Sequence, residues 1–336
     1  MEKNMKEWLA ELLAAPKKKA MPVLSFPAIQ LMDITVKDLI SDASAQAKGM
    51  KMIADRVDSL ASVSLMDLSV EAECFGAEIR FSDDEVPTVV GSVVSSEEEA
   101  EALAVPPIGA GRTQIYIDAI EKAVKEITDR PVFAGIIGPF SLAGRLMDVT
   151  EAMVYCYEEP DMVHTILEKV TEFLIQYANA YKAVGAHGIV MAEPLAGMLS
   201  PALSEEFSCD YVKKLVDAVQ DDDFIVIYHN CGNYTIQMID QILSTGSAAY
   251  HFGNAISMAE MMTHIPKGTI AMGNVDPAGE IRNGTPQSVR EATLKVMDEC
   301  CKYPNFVIST GCDIPPMSKW ENIDAFFAAA EEYYKK

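Results

Sequence analysis

The sequence lacks the signals that carry a chain to or across a membrane. It contains no apolar run near the roughly 20 residues that a membrane-spanning helix needs. At its start, acidic Glu2 precedes an amphipathic segment with Trp8 and Leu12, whereas a secretion signal has a basic region and then a continuous apolar one. We therefore predict a cytoplasmic protein that has no membrane partner.

Basic residues are also few. The chain has 27 Lys plus Arg against 50 Asp plus Glu, which gives a formal net charge of −23. A surface of this charge repels the phosphates of nucleic acids and of anionic lipids. It argues against both as partners and suits either solubility or a basic protein partner.

A disulfide framework is a third missing feature. Seven cysteines, an odd number, are scattered through 336 residues. Because the predicted compartment is reducing, we expect them to be free thiols. Thiolates are therefore available as metal ligands.

No linker rich in Gly and Ser divides the chain, and apolar strand patterns alternate with helical patterns along it. Eight runs are predicted as strands: 22–26, 62–66, 132–136, 188–192, 224–228, 248–250, 269–272 and 306–309. Strands that alternate with helices favour parallel pairing, so eight such units predict a single (β/α)8 TIM-barrel domain over 1–336. An open doubly wound sheet ranks second, because no glycine-rich phosphate loop follows the first strand.

Two stretches depart from this regular order. Residues 1–20 are predicted as an N-terminal helical extension that ends near Pro16. Residues 73–107 consist of short alternating pieces and an acidic run, which predict a hairpin and loop inserted at the edge of the domain.

A histidine and two cysteines follow two of the predicted strands. His229 and Cys231 come after the apolar run 224–227, and Cys312 comes after 306–308. Residues i and i+2 of an extended segment point to the same side, so His229 and Cys231 can bind one ion. One nitrogen and two sulfurs suit zinc and leave a position open for substrate. The alternative is a core histidine beside two buried cysteines.

Other polar residues follow strands as well, where the active residues of a barrel lie. Glu193 follows the run 188–192 and is predicted as a fourth zinc ligand or as an acid beside the metal, with a helix or loop cap as the alternative. Five more are predicted to bind substrate: Asn230, His251, Asn274, Asp276 and Asp313. For Asn274 and Asp276 a structural turn is an equal alternative, and His251 could instead bond to a neighbouring loop.

Four motifs link these residues to a known family. They are Glu193-Pro194 with Leu199-Ser200-Pro201, His229-Asn230-Cys231-Gly232-Asn233, Gly273-Asn274-Val275-Asp276-Pro277, and Gly311-Cys312-Asp313-Ile314-Pro315-Pro316 leading into Glu321-Asn322-Ile323. Over nearly its whole length the chain resembles the uroporphyrinogen decarboxylase superfamily. Within it, the chain is similar to the zinc-dependent methylcobamide:coenzyme M methyltransferases.

The resemblance implies a (β/α)8 barrel with Zn²⁺ on His229, Cys231 and Cys312. It also implies transfer of a methyl group between a methylated corrinoid, as co-substrate, and an acceptor such as a thiol. Glu193 could hold the metal until the acceptor displaces it. A separate corrinoid protein is the expected partner.

Decarboxylation of a carboxylated tetrapyrrole or aromatic is the alternative reaction in this superfamily. The decarboxylases are expected to carry arginines near the N-terminus that pair with substrate carboxylates. Here the first arginine is Arg56, and no arginine pair follows the first predicted strand. Methyl transfer is therefore favoured, and a third possibility is a non-catalytic barrel that docks a corrinoid protein or stores metal.

Overall fold

The computed structural model describes residues 4–335 and has nine strands within that range. They are β1 (Ser62–Val63), β2 (Glu78–Arg80), β3 (Thr88–Val90), β4 (Val132–Ile137), β5 (Gly188–Ala192), β6 (Ile225–Asn230), β7 (Ala249–Phe252), β8 (Ile270–Val275) and β9 (Phe306–Thr310). Seven of them form one sheet of parallel neighbours in the order β1-β4-β5-β6-β7-β8-β9.

Helices connect successive strands of this sheet. They are α1 (Met5–Ala14), α2 (Ala28–Met32), α3 (Val36–Ser41), α4 (Ala43–Arg56), α5 (Val70–Cys74), α6 (Glu97–Ala102), α7 (Thr113–Glu126), α8 (Pro139–Met147), α9 (Val149–Glu158), α10 (Pro160–Ala183), α11 (Pro201–Ser204), α12 (Asp210–Val219), α13 (Ile239–Ser244), α14 (Met258–His264), α15 (Pro286–Cys300) and α16 (Trp320–Tyr333). Short 3-10 helices cover Leu195–Met198 and Thr235–Met238, and π-helices cover Glu205–Cys209 and Pro277–Arg282. None of the helices in residues 4–335 has the length and apolar character needed to span a membrane.

The strands are buried on both faces because helices cover one face and inward side chains fill the other. On β6, Ile225 and Ile227 belong to the inner cluster, whereas Val226 and Tyr228 pack outward under the helices. At the amino ends of the strands, α1 joins the inner cluster, with the rings of Trp8 and Phe133 5.9 Å apart. The amino end is therefore filled, which leaves the carboxyl end for chemistry.

The first predicted strand, 22–26, is not a strand of the sheet. The segment still lies between β9 and β1, because the Met21 amide donates to Ile308 O (3.0 Å) and the Leu60 amide donates to Ala20 O (2.8 Å). A regular ladder fails for two reasons. Pro22 has no N–H to donate, and the Val23 amide donates to the Thr310 hydroxyl (3.3 Å) instead of a backbone carbonyl.

Two other predictions have clear outcomes. Within 73–107, β2 and β3 pair antiparallel, so the predicted hairpin is present. Between the first segment and β1, α3 and α4 are separate helices, because the Asp42 side chain accepts the Ala45 N–H (2.6 Å) and starts α4 there. Of the N-terminal extension, α1 is seen, whereas residues 1–3 lie outside the described residues.

Candidate metal centre

Strand alternation directs His229 to the inner face of the curled sheet. It follows Ile225 and Ile227 on the inner face of β6 and is only 3% exposed. His251 of β7 stands in register with it. Polar side chains thus replace apolar ones in the layer nearest the carboxyl end of the sheet.

The loop after β6 places Cys231 beside His229. Asn230 holds this loop: its Oδ1 accepts the Gly232 N–H and the Thr235 hydroxyl, both at 2.9 Å. The neighbouring loop must come very close, since a Cβ added to Gly253 would lie 2.5 Å from the Cα of Cys231. Glycine at position 253 is therefore needed for Cys231 to take this position.

Cys312 reaches the same point from β9, the last strand of the sheet. The Thr310 hydroxyl donates to Cys312 O (2.8 Å) and fixes the turn after β9. The potential ligand atoms of His229, Cys231 and Cys312 then lie within 4.8 Å of one another. They border a cavity of about 70 Å³ whose other walls are mostly apolar, including Val23 and Ala192.

A chain of hydrogen bonds sets the protonation of His229. The Ser309 hydroxyl donates to Met21 O (2.7 Å), so toward His251 Nε2, also at 2.7 Å, it must accept. His251 therefore carries its proton on Nε2, and burial lowers its pKa well below the usual range, so Nδ1 is bare. That atom lies 2.7 Å from His229 Nδ1, which must donate to it.

This hydrogen bond determines the state of the other ring nitrogen of His229, Nε2. With the proton on Nδ1, the Nε2 atom has a free lone pair, and it is buried without a hydrogen-bond partner among the described residues. A buried, unsatisfied acceptor is costly unless something binds it. A bare imidazole nitrogen beside two thiols can hold a metal ion once the thiols release their protons.

The pKa values of the two thiols shift in opposite directions. A hydrogen bond from Cys312 lowers the pKa of Cys231. The same hydrogen bond, together with burial, raises the pKa of Cys312 to about 12. Cys312 is therefore protonated at neutral pH until a metal displaces its proton.

Glu193 does not join this group. Its carboxylate accepts the N–H groups of Phe140 (3.3 Å) and Ser141 (2.8 Å) at the start of α8, and also the Ser208 hydroxyl. A carboxylate at a helix N-terminus complements the helix dipole. The structure thus brings together three of the four predicted ligands, and it uses Glu193 as the cap that was the alternative.

The residues predicted to bind substrate lie in three different settings. Asn230, Asn274 and Asp276 are bound to backbone: Asn274 donates to Gly253 O and Ile256 O, both at 2.9 Å, and Asp276 accepts Ala278 N–H (2.9 Å). His251 lies behind His229, as described above. Only Asp313 lines the metal cavity with a buried oxygen, Oδ1, that has no partner in the described part of the chain.

Sequence reasoning gave no role to Ser309 or Gly253. The signal for Ser309 was present, since it follows Val307 by two residues and so shares the inner face of β9. Gly253 offered no signal, because its role depends on the close approach of two loops.

Comparison with known proteins decides the family. The profile of the uroporphyrinogen decarboxylase (URO-D) family matches residues 14–333. The chain belongs to this family. The resemblance inferred from the four motifs is thereby confirmed.

Curated members of the family differ in activity. Methylcobamide:CoM methyltransferase MtbA of Methanosarcina acetivorans is 29% identical over 306 residues, covering 87% of this chain and 86% of the relative. Its counterpart in Methanosarcina mazei is 28% identical, with 87% and 86% covered. Uroporphyrinogen decarboxylase of Coxiella burnetii is 23% identical over 81% of this chain and 77% of the relative. The first two carry the enzyme class that the sequence predicted.

Solved structures agree on the fold. A methyltransferase from Methanosarcina mazei superposes with a TM-score of 0.86 at 24% identity, covering 98% of each chain. A B12-independent methionine synthase from Shewanella has a TM-score of 0.66 at 12% identity, covering 95% of this chain and 98% of the other. At these identities the likeness establishes the architecture alone.

Proton release should accompany zinc binding. Because Cys312 is protonated at neutral pH, we expect at least one proton to leave per zinc bound, and the apparent affinity to rise with pH. Calorimetric titration in two buffers of different ionisation enthalpy measures this number. Cys301→Ser, a half-buried cysteine elsewhere, should leave it unchanged. Binding without proton release would contradict the assignment.

Ser309→Ala should weaken zinc binding although Ser309 is not a ligand. Without the hydroxyl, His251 can move its proton to Nδ1 and force the proton of His229 onto Nε2, which removes the lone pair. We expect a loss of affinity of about 10- to 100-fold, measured by competition with a chromophoric chelator. Ser247→Ala removes another buried hydroxyl, bonded to Thr245, and should have no effect. Equal affinities in the two variants would disprove the relay.

Proposed function

We propose that this chain is a zinc-dependent methyltransferase that moves a methyl group between a methylated corrinoid and a small acceptor such as a thiol. The observation that carries the proposal is the meeting of a bare, buried His229 nitrogen with the thiols of Cys231 and Cys312. The chain's similarity to the two Methanosarcina methyltransferases, which are named for methylcobamide and CoM, supports it.

The residues fit zinc by their chemistry. One imidazole nitrogen and two sulfurs are a zinc donor set, and three protein ligands leave a fourth position open. When bound there, zinc lowers the pKa of a thiol that reaches it, which supplies a nucleophilic thiolate near neutral pH. A disulfide would destroy the donor set, and all seven cysteines are free. We therefore place the protein in a reducing compartment such as the cytoplasm.

The chain itself prepares the cavity for this reaction. Apolar walls that include Val23, Val190 and Ala192 exclude water, so a nucleophile there loses part of its hydration. Asp313 remains the candidate for contact with substrate. Burial raises the pKa of Asp313 well above its usual range, and its buried Oδ1 has no hydrogen-bond partner among the described residues.

The surface around the cavity suits a protein partner that approaches the carboxyl ends of the strands. Three large apolar side chains are exposed in the loops after β5, β6 and β9: Met198 (58%), Tyr234 (51%) and Met317 (47%). These loops also carry or adjoin the metal residues. We propose that a separate corrinoid protein covers this rim and presents its methyl group there.

Two structural proposals accompany the function. We propose that the segment 20–24 acts as an eighth member that closes the sheet into a barrel, because it bonds to β9 on one side and to residue 60, before β1, on the other. We also propose that the whole chain is one domain.

Decarboxylation is the second candidate, because the family includes decarboxylases at 23% identity. Carbon dioxide release from uroporphyrinogen, without added metal, would support it. It offers no role to the two thiols that face His229, so methyl transfer accounts for more of the site.

Metal analysis and methyl transfer test the proposal together. The purified chain should contain about one zinc and should demethylate methylcobalamin in the presence of a thiol. Cys312→Ser should lose both properties because it removes one of three ligands, whereas Cys301→Ser should keep both. Methyl transfer that persists in a metal-free preparation would contradict the proposal.

A further inference from the structure

A large groove lies at the amino end of the sheet, away from the metal residues. It has a volume of about 680 Å³ and is lined by residues 17–20, by residues 56–58 at the end of α4, and by the second half of α16. Both loop segments come before β1, and the Leu60 amide donates to Ala20 O (2.8 Å) between them. The metal residues instead follow β6 and β9 at the carboxyl end, so the groove is a separate feature of the fold. Its size suits a small molecule.

Basic residues are concentrated on the walls of this groove, although the chain as a whole is strongly acidic. Four of the 27 basic residues line it: Lys17, Lys18, Lys19 and Arg56. Two of them are held by acids, since Lys19 pairs with Asp58 (2.7 Å) and Arg56 pairs with Asp324 (2.5 Å). Lys17 and Lys18 form no ion pair with any residue in the range 4–335. The groove therefore has two positive charges that the described chain does not balance.

Lys18 is the unusual member of this group. It is only 9% exposed, and lysine is rarely buried without a charged partner. Its Nζ donates to Ala15 O (2.8 Å), which uses one of the three N–H donors of an ammonium group. Burial lowers the pKa of Lys18, as expected where no carboxylate compensates the lost hydration. Two donors of a covered ammonium thus remain for an anion.

The α16 side of the groove offers apolar surface. Phe327 and Tyr334 are partly buried, and their rings line the groove together with the small side chains of Ala328 and Ala330. Glu331 is the acid on this side, and it pairs with Lys335 (2.6 Å). A ligand with a flat apolar body can therefore pack here without meeting an unpaired carboxylate.

We propose that this groove binds a small organic phosphate, whose head group is held by Lys17 and Lys18 and whose apolar body packs against Phe327 and Tyr334. A phosphate monoester carries nearly two negative charges at neutral pH, which matches the two lysines that have no acid partner. Lysine binds phosphate as a point charge and needs no fixed fork geometry. The site is independent of the proposed function, because none of the metal residues takes part in it.

Binding of phenyl phosphate, followed by ligand-observed NMR, tests the groove. Inorganic phosphate and benzyl alcohol should each bind at least about 10-fold more weakly, because each has only one of the two parts that the groove recognises. Lys18→Met keeps the apolar stem and removes the charge, so it should weaken the binding of phenyl phosphate by at least about 10-fold. Lys125→Met, which removes a lysine from an exposed pair with Glu121, should match the original chain. Equal binding by the two variants, or no saturable binding to the original chain below about 10 mM, would overturn the proposal.

Two further comparisons place the ligand in this groove. Ala328 is exposed, so Ala328→Glu adds a negative charge to the wall without disturbing the core and should weaken binding, whereas Ala328→Gln should keep it. Cys312→Ser should bind phenyl phosphate as the original chain does, whether or not the chain proves to be a zinc methyltransferase. Loss of binding in Cys312→Ser would locate phenyl phosphate at the metal centre and overturn the groove.

Discussion

The site depends on one hydrogen-bond relay that starts at a backbone carbonyl. Because Met21 O can only accept, the Ser309 hydroxyl must donate to it. The direction of this hydrogen bond determines which ring nitrogen of His251, and then of His229, carries the proton. Each of the two histidines then has only one tautomer that satisfies these hydrogen bonds. The relay ends by leaving His229 Nε2 bare beside the thiols of Cys231 and Cys312. In the proposed zinc site, this nitrogen is ready before any metal arrives.

The relay also explains why the irregular segment before α2 matters. Met21 lies between β9 and β1, where its amide and carbonyl bind residues 308 and 309 of β9. The segment therefore bonds to β9 and to residue 60 before β1, and it also supplies the acceptor that orders the histidines. Its irregularity at Pro22 and Val23 does not affect either contact.

The sequence predicted the parts of the site that follow from the two-residue alternation of strand side chains and from position at the end of a strand. His229 continues the inward alternation of Ile225 and Ile227, and Cys312 follows a buried strand, so both could be assigned to one rim. Glu193 could not be resolved in the same way. In a sequence, a carboxylate that follows a strand looks the same whether it binds a metal or caps a helix. Only the contacts of Glu193 with Phe140 and Ser141 show that it caps a helix.

The central claim is that the chain offers zinc one nitrogen and two sulfurs and keeps a position free. X-ray absorption at the zinc edge, measured on the zinc-loaded chain with and without a thiol, tests it most directly. The account predicts two sulfur ligands and a nitrogen from the protein, and a third sulfur when the thiol is added. A zinc coordinated without sulfur, or a set of four protein ligands that the thiol leaves unchanged, would contradict it.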